Sequence, residues 1–204
     1  MVGKYNPQPL KLSSHGIDNI VRNLLDVQMV KSARQAVAGE GVCIGLSFKT
    51  RSLVHPKTAR SKELVAMIVE EVRSHEELKD IPFTSIQINH NTISASHTDN
   101  NLIGTPSIAI GLGDCVGGRL RIDGAKQPLH IRDNALVFDG RRPHSSGKFN
   151  SDRWSLVLLV HSSWDFISDD MATQLIELGF PCPPQRGPTQ VAAPAADIAV
   201  PSHK

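Results

Sequence analysis

Between residues 82 and 163 the sequence is a succession of short β-rich runs: TSIQINH, ISASHTD, PSIAIGLG, GGRLRID, QPLHI, NALVFDG and RWSLVLLVH. Breaks such as GLGDCVGG, DGAKQ, RDN, DGRRP and GKFNSD separate them, rich in the Gly, Asp, Asn and Pro that turns require. Seven or eight short strands in some 80 residues, with no helical pattern between them, imply an antiparallel sandwich or barrel. A jelly roll suits that count, giving a mainly β fold with flanking helices.

The helices are expected on either side. Residues 16–38 place Ile17, Ile20, Val21, Leu24, Leu25 and Val30 at helical spacing, with Gly39 as the stop. After the strand-like GVCIGLSF, in which Cys43 reads as core, a second helix is expected over about 61–79. Ser61 would cap it, and Leu64, Val65, Ile68, Val69 and Val72 would form its apolar face. A third helix should run from Ser168 to Leu178, with Asp169 and Asp170 in its first turn and Gly179 at its end. The expected organisation is one domain over 1–182, with a helical part at about 16–80, a jelly-roll core at about 82–163 and the last helix at about 168–178. Residues 183–204, rich in Pro and Ala and without periodicity, are expected to be a disordered tail.

Composition narrows the class. No apolar run approaches the roughly 18–20 residues that span a bilayer, so no membrane role is expected. The N-terminus lacks a signal-peptide core, and three cysteines without a CxxC spacing suit reduced thiols. An intracellular protein, cytoplasmic or nuclear, is the expectation. The net charge of +2 is too small to name a polyanion partner. The acid-free stretch KTRSLVHPKTARSK at 49–62 suits either a solvated loop or a phosphate-facing one.

One group of residues carries chemistry. In a strand, His97 and Asp99 of SHTDN point to one side, an imidazole and a carboxylate that make two-thirds of a facial metal triad. Nine His and 13 Asp give about 0.6 HxD triplets by chance, so the triplet needs support. His144 follows NALVFDGRRP, and nine residues on comes Arg153, opening RWSLVLLV. Arg153 and Ser155 share a strand face. A buried guanidinium costs several kcal/mol unless an anion meets it, and its fork suits a carboxylate. A surface pair with Asp152 or Asp165 is the competing explanation.

Together, HTD at 97–99, His144 and RWS at 153–155 resemble the 2-oxoglutarate- and Fe(II)-dependent dioxygenases, over about residues 83–163. The resemblance implies a double-stranded β-helix with Fe(II) on His97, Asp99 and His144. It implies 2-oxoglutarate held at its distal carboxylate by Arg153 and Ser155, with O2 as co-reactant. Asn89, in the amide row Gln87, Asn89 and Asn91, is a further candidate to touch the cosubstrate. The implied reaction couples decarboxylation of 2-oxoglutarate to hydroxylation, or to demethylation where the hydroxylated carbon is attached to nitrogen. His90, His130 and His161 carry less weight, His161 standing too far from Arg153 to join the triad.

The branch stays open. TET/JBP- and AlkB-like oxygenases of nucleic-acid bases would use the basic 49–62 stretch and Arg119, Arg121, Arg141 and Arg142, but usually show a longer step from His to Arg. Prolyl-hydroxylase-like protein oxygenases match the short step, but commonly carry Lys where this chain has Arg153. Nucleic acid and protein stand nearly level as substrates, with small molecules behind. The alternative outside catalysis is a cupin-like or degenerate jelly-roll module that binds a metal.

Overall fold

The computed structural model describes residues 5–31, 37–48, 52–55 and 59–186. Lys49, Arg51 and Lys57 of the basic stretch, and 187–204 of the expected tail, lie outside these. The first part of the chain gives β1 (Leu10–Lys11), α1 (Ser14–Leu24), β2 (Val30–Lys31), β3 (Val37–Phe48), β4 (Ser52–His55) and α2 (Ala59–Arg73). The second gives β5 (Ser85–Ser94), β6 (Ser107–Leu112), β7 (Val116–Gly117), β8 (Leu120–Ile122) and β9 (Asn134–Phe138). Then follow β10 (His144–Ser146), β11 (Phe149–Asn150), β12 (Trp154–Leu159), a 3-10 turn at Trp164–Phe166 and α3 (Asp169–Glu177).

Antiparallel pairing sets the order β1-β9-β6-β12-β5-β3-β2 in one large sheet, with β4 on β3. The pairs β10–β8 and β11–β7 form the small opposing layer of a jelly roll. The two faces of the large sheet have different compositions. On one, Ile44, Ile86, Ile88, Ile110, Leu156 and Leu158 pack against Ile20, Leu24, Leu64 and Ile68 of α1 and α2. Each such side chain, fully buried, contributes about 1.5–3 kcal/mol. On the other, register brings Gly41, Asn89 and Ser155 side by side, and Cys43, Gln87 and Val157 beside them. That small and polar face lines a cavity of about 1210 Å3.

Several local expectations need correction. The helix expected over 16–38 ends at Leu24, because Val30 and Val37 are taken up by sheet pairing with Gly41 and Ser94. Gly39 therefore lies inside β3, at φ +128° beside a bulge, and stops no helix. Ser61 is the third residue of α2 and not its cap. That helix ends at Arg73, where the Ser74 hydroxyl donates to Glu71 O at 2.7 Å in place of a further turn. QPLHI forms no strand: Leu129 makes only an isolated bridge to Leu120, and the neighbouring Pro128 offers no N–H.

Other expectations hold closely. Ser168 caps α3, its hydroxyl accepting from Met171 N, and Gly179 turns the chain beyond the helix at φ +95°. The tail departs from expectation in its first residues. Gln185 Nε2 donates to Trp164 O at 2.9 Å, and Arg186 pairs with Asp165 at 2.9 Å. No disulfide joins the three cysteines, and Cys43 lines the cavity and is only half buried. Among the described residues no helix is long and apolar enough to cross a membrane.

Candidate metal centre

His97 and Asp99 lie just past the end of β5, outside any strand. Their alternation survives because hydrogen bonds replace a ladder. His97 N donates to His144 O at 2.9 Å, His144 N donates back to His97 O at 2.8 Å, and Asp99 N donates to Gly140 O at 2.8 Å. The loop is thus held to the segment that carries His144, and three side chains from two distant stretches converge.

Asp99 Oδ1 lies 3.7 Å from His97 Nε2, and Asp99 Oδ2 lies 3.6 Å from His144 Nε2. One ligand atom from each residue falls within 4.8 Å of the others, the one such cluster among the described residues. Ligand atoms about 2.1 Å from a common ion would stand roughly 3–4 Å apart, so the set is close to a binding geometry. Second contacts orient both rings. His97 Nδ1 meets Ala95 O at 2.9 Å and His144 Nδ1 meets Arg142 O at 2.9 Å. A carbonyl only accepts, so each Nδ1 carries a proton and each Nε2 is the atom turned toward Asp99. Asp99 Oδ2 is buried and has no hydrogen-bond partner. An orphaned carboxylate oxygen beside two imidazole Nε2 atoms is a donor set that fits a divalent cation.

Gly140 makes room for this arrangement. A Cβ there would stand 3.1 Å from Asp99 Oδ2 and 2.9 Å from Ser107 Oγ. Its DG dipeptide signals only a turn in the sequence, so its packing role is not legible there. Phe138 sets its ring edge against His144, centroids 5.3 Å apart.

Arg153 is 5 % exposed, and its guanidinium meets no carboxylate among the described residues. Nη1 donates to Thr92 O at 3.2 Å and Nη2 to Gly118 O at 3.4 Å, with the Phe149 ring 5.5 Å away. Burial pulls its pKa down, and the Cys115 thiol beside it opposes that. The competing partners are engaged elsewhere: Asp152 with His90, and Asp165 with Arg186. The site therefore carries a desolvated cation that lacks an anion.

Ser155 lines the same cavity as Arg153. Asn89 faces it across the strand pair, its Nδ2 3.5 Å from Ser155 Oγ and its Oδ1 accepting from Gln87 Nε2 at 3.3 Å. Asn91 leaves the expected amide row: it is exposed, at φ +47°. His161, set aside on sequence grounds, lines the cavity at the far end of the β12 row from Arg153. Its Nδ1 accepts from Ser163 N at 3.2 Å, and burial lowers its pKa. His90 stacks on Trp154 outside the barrel, and His130 is exposed.

No family model matches the chain, and no curated protein sequence does. Solved structures do match in shape. A 2OG-Fe(II) oxygenase family oxidoreductase from Burkholderia pseudomallei superposes with a TM-score of 0.53 at 14% identity, over 72% of this chain and 78% of that one. A prolyl hydroxylase from Trichoplax adhaerens, solved with a peptide fragment of the hypoxia inducible factor oxygen degradation domain, gives 0.54 at 15% identity, over 79% and 85%. The fold is that of the 2-oxoglutarate/Fe(II) oxygenases. At such identities the likeness is one of architecture, and the 2-oxoglutarate oxygenase fold hosts the His97, Asp99 and His144 cluster between its two layers.

Proposed function

We propose that the chain is an Fe(II)/2-oxoglutarate-dependent dioxygenase that couples decarboxylation of 2-oxoglutarate to hydroxylation of a second substrate. One observation carries it: the cavity that receives His97, Asp99 and His144 also receives Arg153, a buried cation with no acid partner among the described residues. A protein that only held a metal would have no use for that cation.

The residues have separable tasks. His97 and His144 offer Nε2, their Nδ1 protons held by backbone carbonyls, and Asp99 offers Oδ2. Iron bound there supplies the redox chemistry that couples 2-oxoglutarate and O2 to succinate, CO2 and a hydroxylated product. Arg153 receives the distal carboxylate of the cosubstrate, and the Ser155 hydroxyl donates to the same group. Asn89 holds Ser155 in place and borders the cosubstrate. The Phe138 ring and the apolar second core around Leu120, Ile122 and Leu136 keep water from the His144 side.

For the oxidised partner, nucleic acid and protein remain level. The cavity of about 1210 Å3 takes a flipped base or an extended side chain beside the cosubstrate. The likeness to a peptide-binding prolyl hydroxylase supports the protein branch at the level of fold.

The test is an anaerobic titration of the Fe(II)-loaded chain with 2-oxoglutarate. A visible charge-transfer band that His144→Ala abolishes supports the oxygenase. Iron binding without the band would hand the site to the metal-binding module. With the band in hand, oligonucleotide and peptide pools are screened for succinate release above the substrate-free rate.

A further inference from the structure

Strand β5 changes its inward phase partway along. Ser85, Gln87 and Asn89 line the cavity, and then Thr92 and Ser94 do, so the inward residues pass from odd to even numbers. Asn91 absorbs the change with a left-handed backbone, φ +47°, a conformation that asparagine tolerates better than most residues other than glycine.

What holds this turn is the start of β12. Asn91 N donates to Arg153 O at 2.8 Å, and Arg153 N donates to Asn91 Oδ1 at 2.9 Å. Both backbone groups of Arg153 are therefore bound by one residue. Asn91 Nδ2 also donates to Asp152 Oδ1 at 3.3 Å, and the other oxygen of Asp152 accepts from Trp154 Nε1 at 2.9 Å. His90, 2.7 Å from Asp152 Oδ1, stacks on the Trp154 ring. Outside the barrel, then, the residues flanking Arg153 are tied to the same two residues of β5.

Inside, the turn aims a carbonyl at the guanidinium. Thr92 O follows directly from Asn91 and accepts from Arg153 Nη1 at 3.2 Å. Gly118 closes the opposite wall: a Cβ at its φ of +62° would stand 2.7 Å from Arg153 Nε. The guanidinium has one place to sit, and the Asn91 turn defines one side of it.

We infer that Asn91 is the positioning residue of the Arg153 anion site, setting through its left-handed turn and its side-chain amide how firmly that site holds the distal carboxylate of a 2-oxo diacid. The inference rests on the reading of Arg153 as the cosubstrate's carboxylate partner. Asn91 is exposed outside the barrel and acts through Arg153. The same turn sets Ser94, which donates through its backbone N to Ser146 Oγ at 2.8 Å on the strand that begins with His144. Asn91→Ala would strain the left-handed position and disturb both ends. Asn91→Gly keeps the conformation and removes only the amide.

The experiment uses the full chain loaded with Mn(II), titrated calorimetrically with 2-oxoglutarate and with 2-oxopentanoate, in which a methyl replaces the distal carboxylate. Asn91→Gly should bind 2-oxoglutarate about five- to tenfold more weakly, the effect of one lost positioning hydrogen bond. It should bind 2-oxopentanoate and Mn(II) as the wild type does. Arg153→Ala, run alongside, separates two failures. If Arg153→Ala loses the preference for the diacid and Asn91→Gly retains it in full, the positioning role is overturned while the cosubstrate reading stands. If Arg153→Ala discriminates as well as the wild type, the cosubstrate reading falls and takes the inference with it. If Asn91→Gly weakens both acids equally, or loses Mn(II), Asn91 is a packing residue and the inference is overturned.

Discussion

Asp99 Oδ2 lies 3.6 Å from His144 Nε2, fully buried and without a hydrogen bond. His144 Nδ1 is committed to Arg142 O on the other side of the ring, so Nε2 is the atom that faces the carboxylate. Three ligand atoms drawn this close suit a shared divalent cation. A buried carboxylate oxygen with no hydrogen bond costs stability that a bound cation would return.

Asp99→Asn tests that cost. The amide removes a buried charge and can donate to a facing Nε2. The metal-free variant should melt a few degrees higher than the wild type, the equivalent of roughly 1 kcal/mol. Mn(II) should raise the wild-type melting temperature and leave that of the variant unchanged. A metal-free variant that melts lower would mean Asp99 is satisfied in the fold as it stands.

Arg153→Met follows the same logic at another point of the cavity wall. The guanidinium is desolvated, and its carbonyl contacts at 3.2 and 3.4 Å are long for charged donors. A methionine of similar length should leave the fold as stable as before or slightly more so. Affinity for 2-oxoglutarate should fall about 10- to 100-fold, since each charged hydrogen bond is worth about 1.5–3 kcal/mol. Calorimetry on the Mn(II)-loaded protein decides it, and equal affinity in the two proteins would remove Arg153 from the cosubstrate site.

Glu71 contributes to acid sensitivity. Its carboxylate accepts from Ser13 Oγ at 2.6 Å, Ser13 N at 2.7 Å and His75 Nε2 at 3.0 Å, joining α2 to the cap of α1. Burial alone would raise its pKa, but the hydrogen bonds from Ser13 and His75 outweigh it and the net shift is downward from 4.5. A depressed carboxyl pKa stabilises the fold above its ordinary value and gives that stability up as pH falls through the folded-state pKa. Glu71→Gln should therefore be less stable than the wild type at neutral pH, and the gap should close on acidification below 4.5. Chemical denaturation at several pH values measures it; a gap independent of pH would assign the loss to geometry instead of charge.

The legible parts of this chain were those with local signals. The turn-punctuated runs gave the jelly roll, and HTD, His144 and RWS gave the residues that the fold brings together. What escaped depended on pairing between distant segments. The extension of β3 back to Val37 requires Ser94 across from it, so a helical period running on to 38 could not reveal it. Asn91 looked like the third member of an amide row because a strand was assumed to keep its phase, and the left-handed turn is held by Arg153, 62 residues away. His161 does stand at the far end of β12 from Arg153 and outside the metal cluster, but its place on the cavity wall, beside its bridge partner Asn101, depends on pairing that the sequence does not display. Ser61 fell inside its helix because that helix starts at Ala59.

The C-terminal segment up to Arg186 is tied to the fold by specific hydrogen bonds. Arg186 is bound to Asp165 through its backbone N and its Nε, both at 2.9 Å, and its Nη1 donates to Ile103 O at 3.1 Å. Ile103 lies four residues beyond Asp99, and the Asp165 side chain is only 1% exposed. Losing Arg186 would leave that buried carboxylate unpaired, a loss of about 3 kcal/mol or more. It would also remove a hydrogen bond from the loop that follows Asp99. Truncation after Arg186 should leave melting temperature and Mn(II) affinity unchanged, whereas truncation after Cys182 should lower both. Adding Asp165→Ala to the shorter chain should recover part of the lost stability by removing the stranded charge. Two truncations of equal stability would show that Arg186 adds nothing to the fold.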